Sequence, residues 1–168
     1  ITKDLKKLLE KLNDHTTRSL EAAAGFSIGR GHYEVSIEHL FLKLLEDGSG
    51  DVPRIFNHFN TDSGKLWDAM LKRLEGFRTG NSGRPTLSPV LLQFVESAWI
   101  TCSIHHGFPE IRSGNLLEAL LVQNARLKVV GAVNYLKHHH GDAISARMPI
   151  LRQQFSSRVN VQLAQLSV

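Results

Sequence analysis

The chain has 168 residues, 42% of them hydrophobic, which suits one compact domain with a core of its own. Its net charge of +4 comes from lysines and arginines interleaved with acids, as in LKKLLEKLND, so a solvated helical surface is expected and a nucleic-acid stripe is not. The single cysteine, Cys102, excludes an internal disulfide, and no apolar run reaches the roughly eighteen residues that a membrane span needs.

In chain order, Leu5, Leu8, Leu9 and Leu12 recur at helical spacing and predict an amphipathic opening helix, too charged to read as a secretory leader. Asp14 and Thr16 mark a break and restart, after which SLEAAAGFSI reads as a largely buried helix. Gly25 inside it, at a cost of about 1 kcal/mol relative to alanine, predicts close helix packing. After a turn at Gly29-Arg30-Gly31, Ser36 is expected to cap a helix with Glu38 in its first turn, where the dipole favours an acid. Leu40, Phe41, Leu44 and Leu45 form that helix's core face, and Gly48-Ser49-Gly50 ends it. A short helix over Val52–Phe59 takes Pro53 in its first turn, and one over Ser63–Leu74 turns Leu66, Met70, Leu71 and Leu74 inward.

The stretch FRTGNSGRP is the clearest loop. Ser88 then caps, and Pro89 opens, a long apolar helix through Ile104. Gly107-Phe108-Pro109 turns the chain, and Ser113 is expected to cap a helix holding Leu116, Leu117, Leu120 and Leu121. Further helices are predicted over Leu127–Leu136 and Ala143–Phe155, the second delayed or kinked by Pro149. Alternation at Val159, Val161 and Leu163 fits either a strand or a linker.

Two of these stretches repeat one pattern, Leu12 to Leu45 and Leu87 to Leu121. Leu20 falls on Val95, Glu21 on Glu96 and Ala23 on Ala98; after a one-residue slip, Glu34 falls on Glu110, Val35 on Ile111 and Leu40 on Leu116. Half of such a duplication cannot bury its apolar face alone, so an all-α fold follows: a pseudo-two-fold double four-helix bundle. One domain over 1–156, with repeats at about 5–76 and 86–156, is followed by a tail or linker at 157–168.

Site chemistry for catalysis is missing. Gly64-Lys65 is followed by Leu66 and lacks the upstream glycine of a P-loop, and there is neither a nucleophile elbow nor an HExxH. His138-His139-His140 and His105-His106 are neighbours that point apart on a helix, which suits a tetrahedral metal site poorly. His39 reads as a hydrogen-bonded core residue. Glu21 and Glu96, at matching repeat positions, pair locally more readily than they form an acid–base couple. No catalytic residue and no metal ligand is assigned.

At YEVSIEHLFLKLLED and IRSGNLLEALL the chain resembles the amino-terminal domain of Clp-type AAA+ unfoldases over about 5–136. DVPRIFNHFN, GNSGRPTLSPVLLQFVESAW and EIRSGNLLEAL look most like the ClpV group of bacterial type VI secretion systems. The resemblance implies a non-catalytic domain that recruits substrate to a cytoplasmic, hexameric ATPase ring. ATP and magnesium would bind in modules outside this sequence. The implied partner is a short amino-terminal helix of the large contractile-sheath subunit, exposed when the sheath contracts and held in an apolar groove for sheath disassembly. Neither nucleic acid nor membrane is implied, and the fragment itself is expected to be monomeric.

Carried onto this sequence, the groove would use Leu87, Ser88, Leu91 and Leu92, with Leu8, Leu9, Leu12, Ala22, Ala23 and Phe26 as further candidates. An amphipathic helix anchored by three or four apolar side chains is a standard way to fill such a groove. The corresponding domain of a general Clp disaggregase, binding unfolded segments or an adaptor, is the alternative within the family.

Overall fold

A computed structural model of the chain describes residues 3–58, 60 and 62–127, with side chains through Leu121. The helices predicted over Leu127–Leu136 and Ala143–Phe155, the triple histidine and the 157–168 tail lie outside the described residues, as does Phe59.

The elements are α1 (Lys3–Leu9), α2 (Asp14–Gly29), β1 (Glu34–Val35), α3 (Ile37–Glu46), α4 (Asp51–His58) and α5 (Ser63–Glu75), then β2 (Thr86–Leu87), α6 (Pro89–Ile100), a π turn (Thr101–His105) and α7 (Ser113–Leu127). Among the described residues no helix is long and apolar enough to cross a membrane. The duplication is visible in the backbone. Val35 of β1 pairs in parallel with Leu87 of β2, and Leu12 forms a parallel bridge with Ile111. Leu12 and Leu87 are repeat mates, as are Val35 and Ile111, so the two pairings are one contact made twice. Matching hydrogen bonds accompany them: Asn13 N–H donates to the Ile111 carbonyl at 2.9 Å, and Ser88 N–H to the Val35 carbonyl at 3.0 Å.

These same residues start the long helices. Asn13 Oδ1 accepts from Thr16 N–H at 2.9 Å to cap α2, and Ser88 Oγ accepts from Leu91 N–H at 3.0 Å to cap α6, with Pro89 opening the helix. Such caps are each worth about 1 kcal/mol. Core side chains from both halves form one cluster, with Phe41 of α3 and Phe94 of α6 in ring contact at 6.0 Å. A second tie joins the starts of α4 and α7. The Arg112 guanidinium forks onto both Asp51 oxygens at 2.9 and 2.6 Å, and Asp51 N–H donates to Ser113 Oγ at 3.2 Å. Ser113 therefore serves α4 instead of capping its own helix, where Asn115 Oδ1 holds the Arg112 N–H.

Gly25 departs from expectation. It is exposed, and a Cβ built there meets nothing within 4 Å, so close packing does not explain it.

Ser36 caps α3 in a reciprocal box with His39 in place of the usual acid or amide. Ser36 N–H donates to His39 Nδ1 at 3.0 Å, which makes that nitrogen an acceptor and puts the ring proton on Nε2. Nε2 then donates to His32 Nδ1 at 2.8 Å. Burial, the neighbouring His32 and Arg30 together hold His39 down at about 4 from an ordinary 6.5, and burial with Arg30 also lowers His32. His39 is thus neutral in the fold, while the unfolded chain takes up its proton first. The stability it contributes is complete above about pH 6.5 and is lost as pH falls towards 4. Urea unfolding across that window should show this loss. His39→Asn, which copies Asn115 at the matching position of the second repeat, should make the slope shallower by up to about 1.4 kcal/mol per pH unit. An unchanged slope would mean that other groups govern it.

The one-residue slip between the repeats also has a structural counterpart. α2 runs 16 residues, whereas its mate runs 12 as α6 and then five as a π turn, so the extra residue is absorbed inside the helix. Just past the π turn, His106 Nε2 meets both Glu118 oxygens at 3.0 and 3.1 Å, and Glu118 is buried where the first half carries the core residue Leu42. His106→Ala should cost about 3 kcal/mol by stranding a buried carboxylate, while Glu118→Leu should be near neutral. A chemical-denaturation cycle checks this: in the Glu118→Leu background the His106→Ala penalty should largely vanish, and additive penalties would contradict the pairing.

Candidate functional site

α1 runs just before the Leu12 bridge, whereas the described residues 76–85 just before β2 form no helix. Although α1 carries Leu5, Leu8 and Leu9, none of its residues is buried. It lies along α6, and between them runs an open furrow of about 420 Å³. Leu5 and Leu8 line one wall; Leu92, Glu96 and Trp99 line the other. Asp4, Lys7 and Lys11 stand along the α1 side, with the Lys11 ammonium 5.0 Å from the centre of the Trp99 ring.

Comparison of the two halves shows why the furrow is apolar on this side of the molecule. On the repeat alignment Leu92 corresponds to Thr17, Trp99 to Ala24 and Glu96 to Glu21. The scaffold therefore folds with a threonine and an alanine on this face of the first long helix. At the matching positions of α6, leucine and tryptophan add apolar surface to the furrow wall, both part-exposed and Trp99 also packed partly against the core.

The residues expected to form the groove divide into three groups. Leu8 and Leu92 come together in the furrow, and Leu9 and Leu87 are half-buried close to it in sequence, Leu87 within β2 beside the α6 cap. Leu12, Leu91 and Ala23 correct the expectation: they are 7%, 1% and 0% exposed and belong to the core. Ser88 is also buried, and its hydroxyl is committed to capping α6. Ala22 does not reach the furrow. It lines a shallow depression of about 470 Å³ between α2 and α3 with Arg18, Ser19, Lys43, Glu46 and Asp47, a mixed-charge surface unsuited to an apolar helix. Phe26 is half-buried beneath Arg30 and Lys43, whose cationic groups stand 5.4 and 4.9 Å from its ring.

Sequence periodicity placed Leu5 in the apolar stripe of the opening helix but missed Trp99 and the furrow charges. Trp99 both packs partly against the core and lines the furrow; its mismatch with Ala24 was the available signal for the second role. Among the described residues no group of three or more His, Cys, Asp or Glu could hold a metal ion. His15 is buried against Gly50, its Nδ1 3.4 Å from Asp47, and burial lowers its affinity for a proton despite that carboxylate. Glu21 and Glu96 are both exposed on separate helices.

Comparison with known proteins agrees with this architecture. Residues 11–130 match the Clp repeat N-terminal domain. The AAA+ ATPase ClpV1 of Pseudomonas aeruginosa is 27% identical over 114 residues, which cover 68% of this chain but only 13% of that protein. Among solved structures, the N-terminal domain of the ClpV1 ATPase from the Sci1 type VI secretion system of enteroaggregative Escherichia coli superposes with a TM-score of 0.75 at 31% identity, covering 88% of this chain and 90% of that one. A ClpV N-domain in complex with a VipB peptide superposes at 0.66 with 26% identity, covering 83% and 91%.

The division between core and furrow is open to a direct test. Leu91→Ala should cost about 3 kcal/mol of unfolding free energy, and Leu92→Ala, one residue away, less than about 1 kcal/mol. Equal costs in thermal and urea unfolding would put Leu92 in the core and remove it from the furrow.

Proposed function

The chain belongs to the Clp repeat N-terminal domain family, and from that premise we propose that it is the non-catalytic substrate-recognition domain of a ClpV-like AAA+ ATPase. Its ligand is an amino-terminal helix of the large contractile-sheath subunit of a type VI secretion system, and capture of that helix serves sheath disassembly. ATP and magnesium act in the ATPase modules of the longer protein, which also form the hexamer; the domain itself is monomeric and works in the bacterial cytoplasm.

One observation carries this reading. Leu5 and Leu8 of α1, each part-exposed, line an open furrow opposite Leu92 and Trp99, where the other half carries a threonine and an alanine. A ClpV N-domain that has been solved with a VipB peptide lends support from outside the chain. An open furrow leaves one side of a bound helix in water, and the ligand loses conformational freedom on docking. The net affinity is therefore on the order of micromolar, which suits a recruiter that must pass its substrate on.

Titration of a synthetic sheath-subunit amino-terminal peptide tests the assignment. Leu8→Glu and Leu92→Glu should each weaken binding at least about tenfold, since each places a charge against the ligand's apolar face. Their circular dichroism and melting temperature should stay near those of the parent. Undiminished affinity in both variants would eliminate the furrow as the binding site.

A further inference from the structure

Resting on the peptide-furrow reading above, we propose that the furrow has a direction: it selects a helix that runs the same way as α1, basic in its first turn and acidic in its last.

The stacking of Lys11 on Trp99 fixes which ends of the two walls meet. The α6 wall consists of Leu92, Glu96 and Trp99, so with Lys11 at the Trp99 end, Asp4 and Leu5 lie at the Leu92 end. Both walls therefore run in one direction. Lys7 and Glu96 face the middle of the furrow from opposite sides and favour neither orientation. The ends differ: Asp4 marks one and Lys11 the other. Among the described residues neither is held in an ion pair, so both remain able to meet a ligand's charge.

A docked helix presents partial positive charge at its amino end and partial negative charge at its carboxyl end. Placing the amino end at Asp4 and the carboxyl end at Lys11 satisfies both, and charged side chains in the ligand's terminal turns strengthen the same choice. The dipoles of α1 and α6 act in the opposite sense, but Ser88 caps the start of α6, Lys6 and Lys7 occupy the last turn of α1, and α6 continues into the π turn beyond Trp99. The full charges on Asp4 and Lys11 decide the orientation. Lys11 contributes a second discrimination, because its ammonium already covers Trp99: an acid in the ligand's last turn can hold it there, whereas a base must displace it.

Two capped synthetic amphipathic helices of about four turns, identical in composition and in their leucine face, test the proposal. One carries Lys in its first turn and Glu in its last, and the other has these exchanged. Affinities for both are measured by fluorescence anisotropy with the unaltered domain and with an Asp4→Asn/Lys11→Gln variant. The ratio of the two affinities in the unaltered domain, divided by the ratio in the variant, removes the peptides' difference in intrinsic helicity. A value of about fivefold in favour of the Lys-first peptide at low salt, shrinking as salt is added, is expected. A value of one or below, with binding abolished by Leu92→Glu, overturns the directional proposal and leaves the furrow standing. Binding that survives Leu92→Glu overturns both.

Discussion

The fold depends on two short backbone pairings that tie each half to the other. In each, the extended residue before one half's first long helix lies beside the extended residue before the other half's second helix: Leu12 with Ile111, and Leu87 with Val35. The bonds are few, but they fall where a helical protein most needs them. A helix start leaves backbone N–H groups without partners inside the helix, and a buried start cannot use water. Here the capping side chain of Asn13 or Ser88 satisfies an N–H within its own helix, while its own N–H is satisfied by a carbonyl of the other half. Neither half can complete this pattern alone. Separation would also expose the Phe41–Phe94 contact and leave the Asp51–Arg112 pair broken at a buried junction, so the halves stand or fall together.

A duplicated scaffold is informative because its two copies solve the same packing problem. Where they agree, as at Val35 and Ile111 or Leu40 and Leu116, the residue serves the fold and is buried in both. Where they differ, the difference requires a separate cause. Glu118 against Leu42 is explained by His106, which the π turn delivers to it. His39 against Asn115 is explained by His32, the acceptor for its second nitrogen; the Nδ2 of Asn115 has no partner among the described residues. Leu92 against Thr17 and Trp99 against Ala24 both fall on the furrow, Leu92 part-exposed and Trp99 packed partly against the core beneath the Lys11 ammonium. On the peptide-furrow reading proposed above, this part-exposed apolar surface is what a ligand helix would cover.

Much of the architecture was legible in the sequence because it follows from local rules. The repeat, the caps at Ser36 and Ser88, the proline at the start of α6 and the glycine-bearing turn with Gly31 at positive φ each rest on a few adjacent residues. The site was less legible for a geometric reason. Periodicity reveals that a helix is amphipathic, but α6 is apolar over more than half its circumference, so Leu91 and Leu92 looked alike although one is core and the other lines the furrow. Ser113 looked like a cap because serine often is one; its hydroxyl serves a helix 62 positions away, which no local pattern encodes. Gly25 looked like a packing contact because glycine in a helix is costly, yet it faces solvent, and its presence has no explanation in the packing.

Keeping an apolar furrow open in water requires that it neither collapse nor attract every exposed chain. The position of α1 is set at two places: its chain is bridged to Ile111 at Leu12, and Leu8 and Leu9 pack against the core. Unwanted partners are resisted by the lysines. The aliphatic stem of a lysine can lie along apolar surface while its ammonium remains hydrated. Lys11 over Trp99 does this at one end, covering part of the largest apolar side chain of the wall. A bound helix that leaves the ammonium in place keeps that interaction and adds its own contacts, whereas an unstructured apolar segment must displace the lysine before reaching the ring. On the peptide-furrow reading proposed above, Lys11 would therefore favour a folded amphipathic helix over a generic unfolded chain, which is the difference between a dedicated recruiter and a general binder of denatured protein.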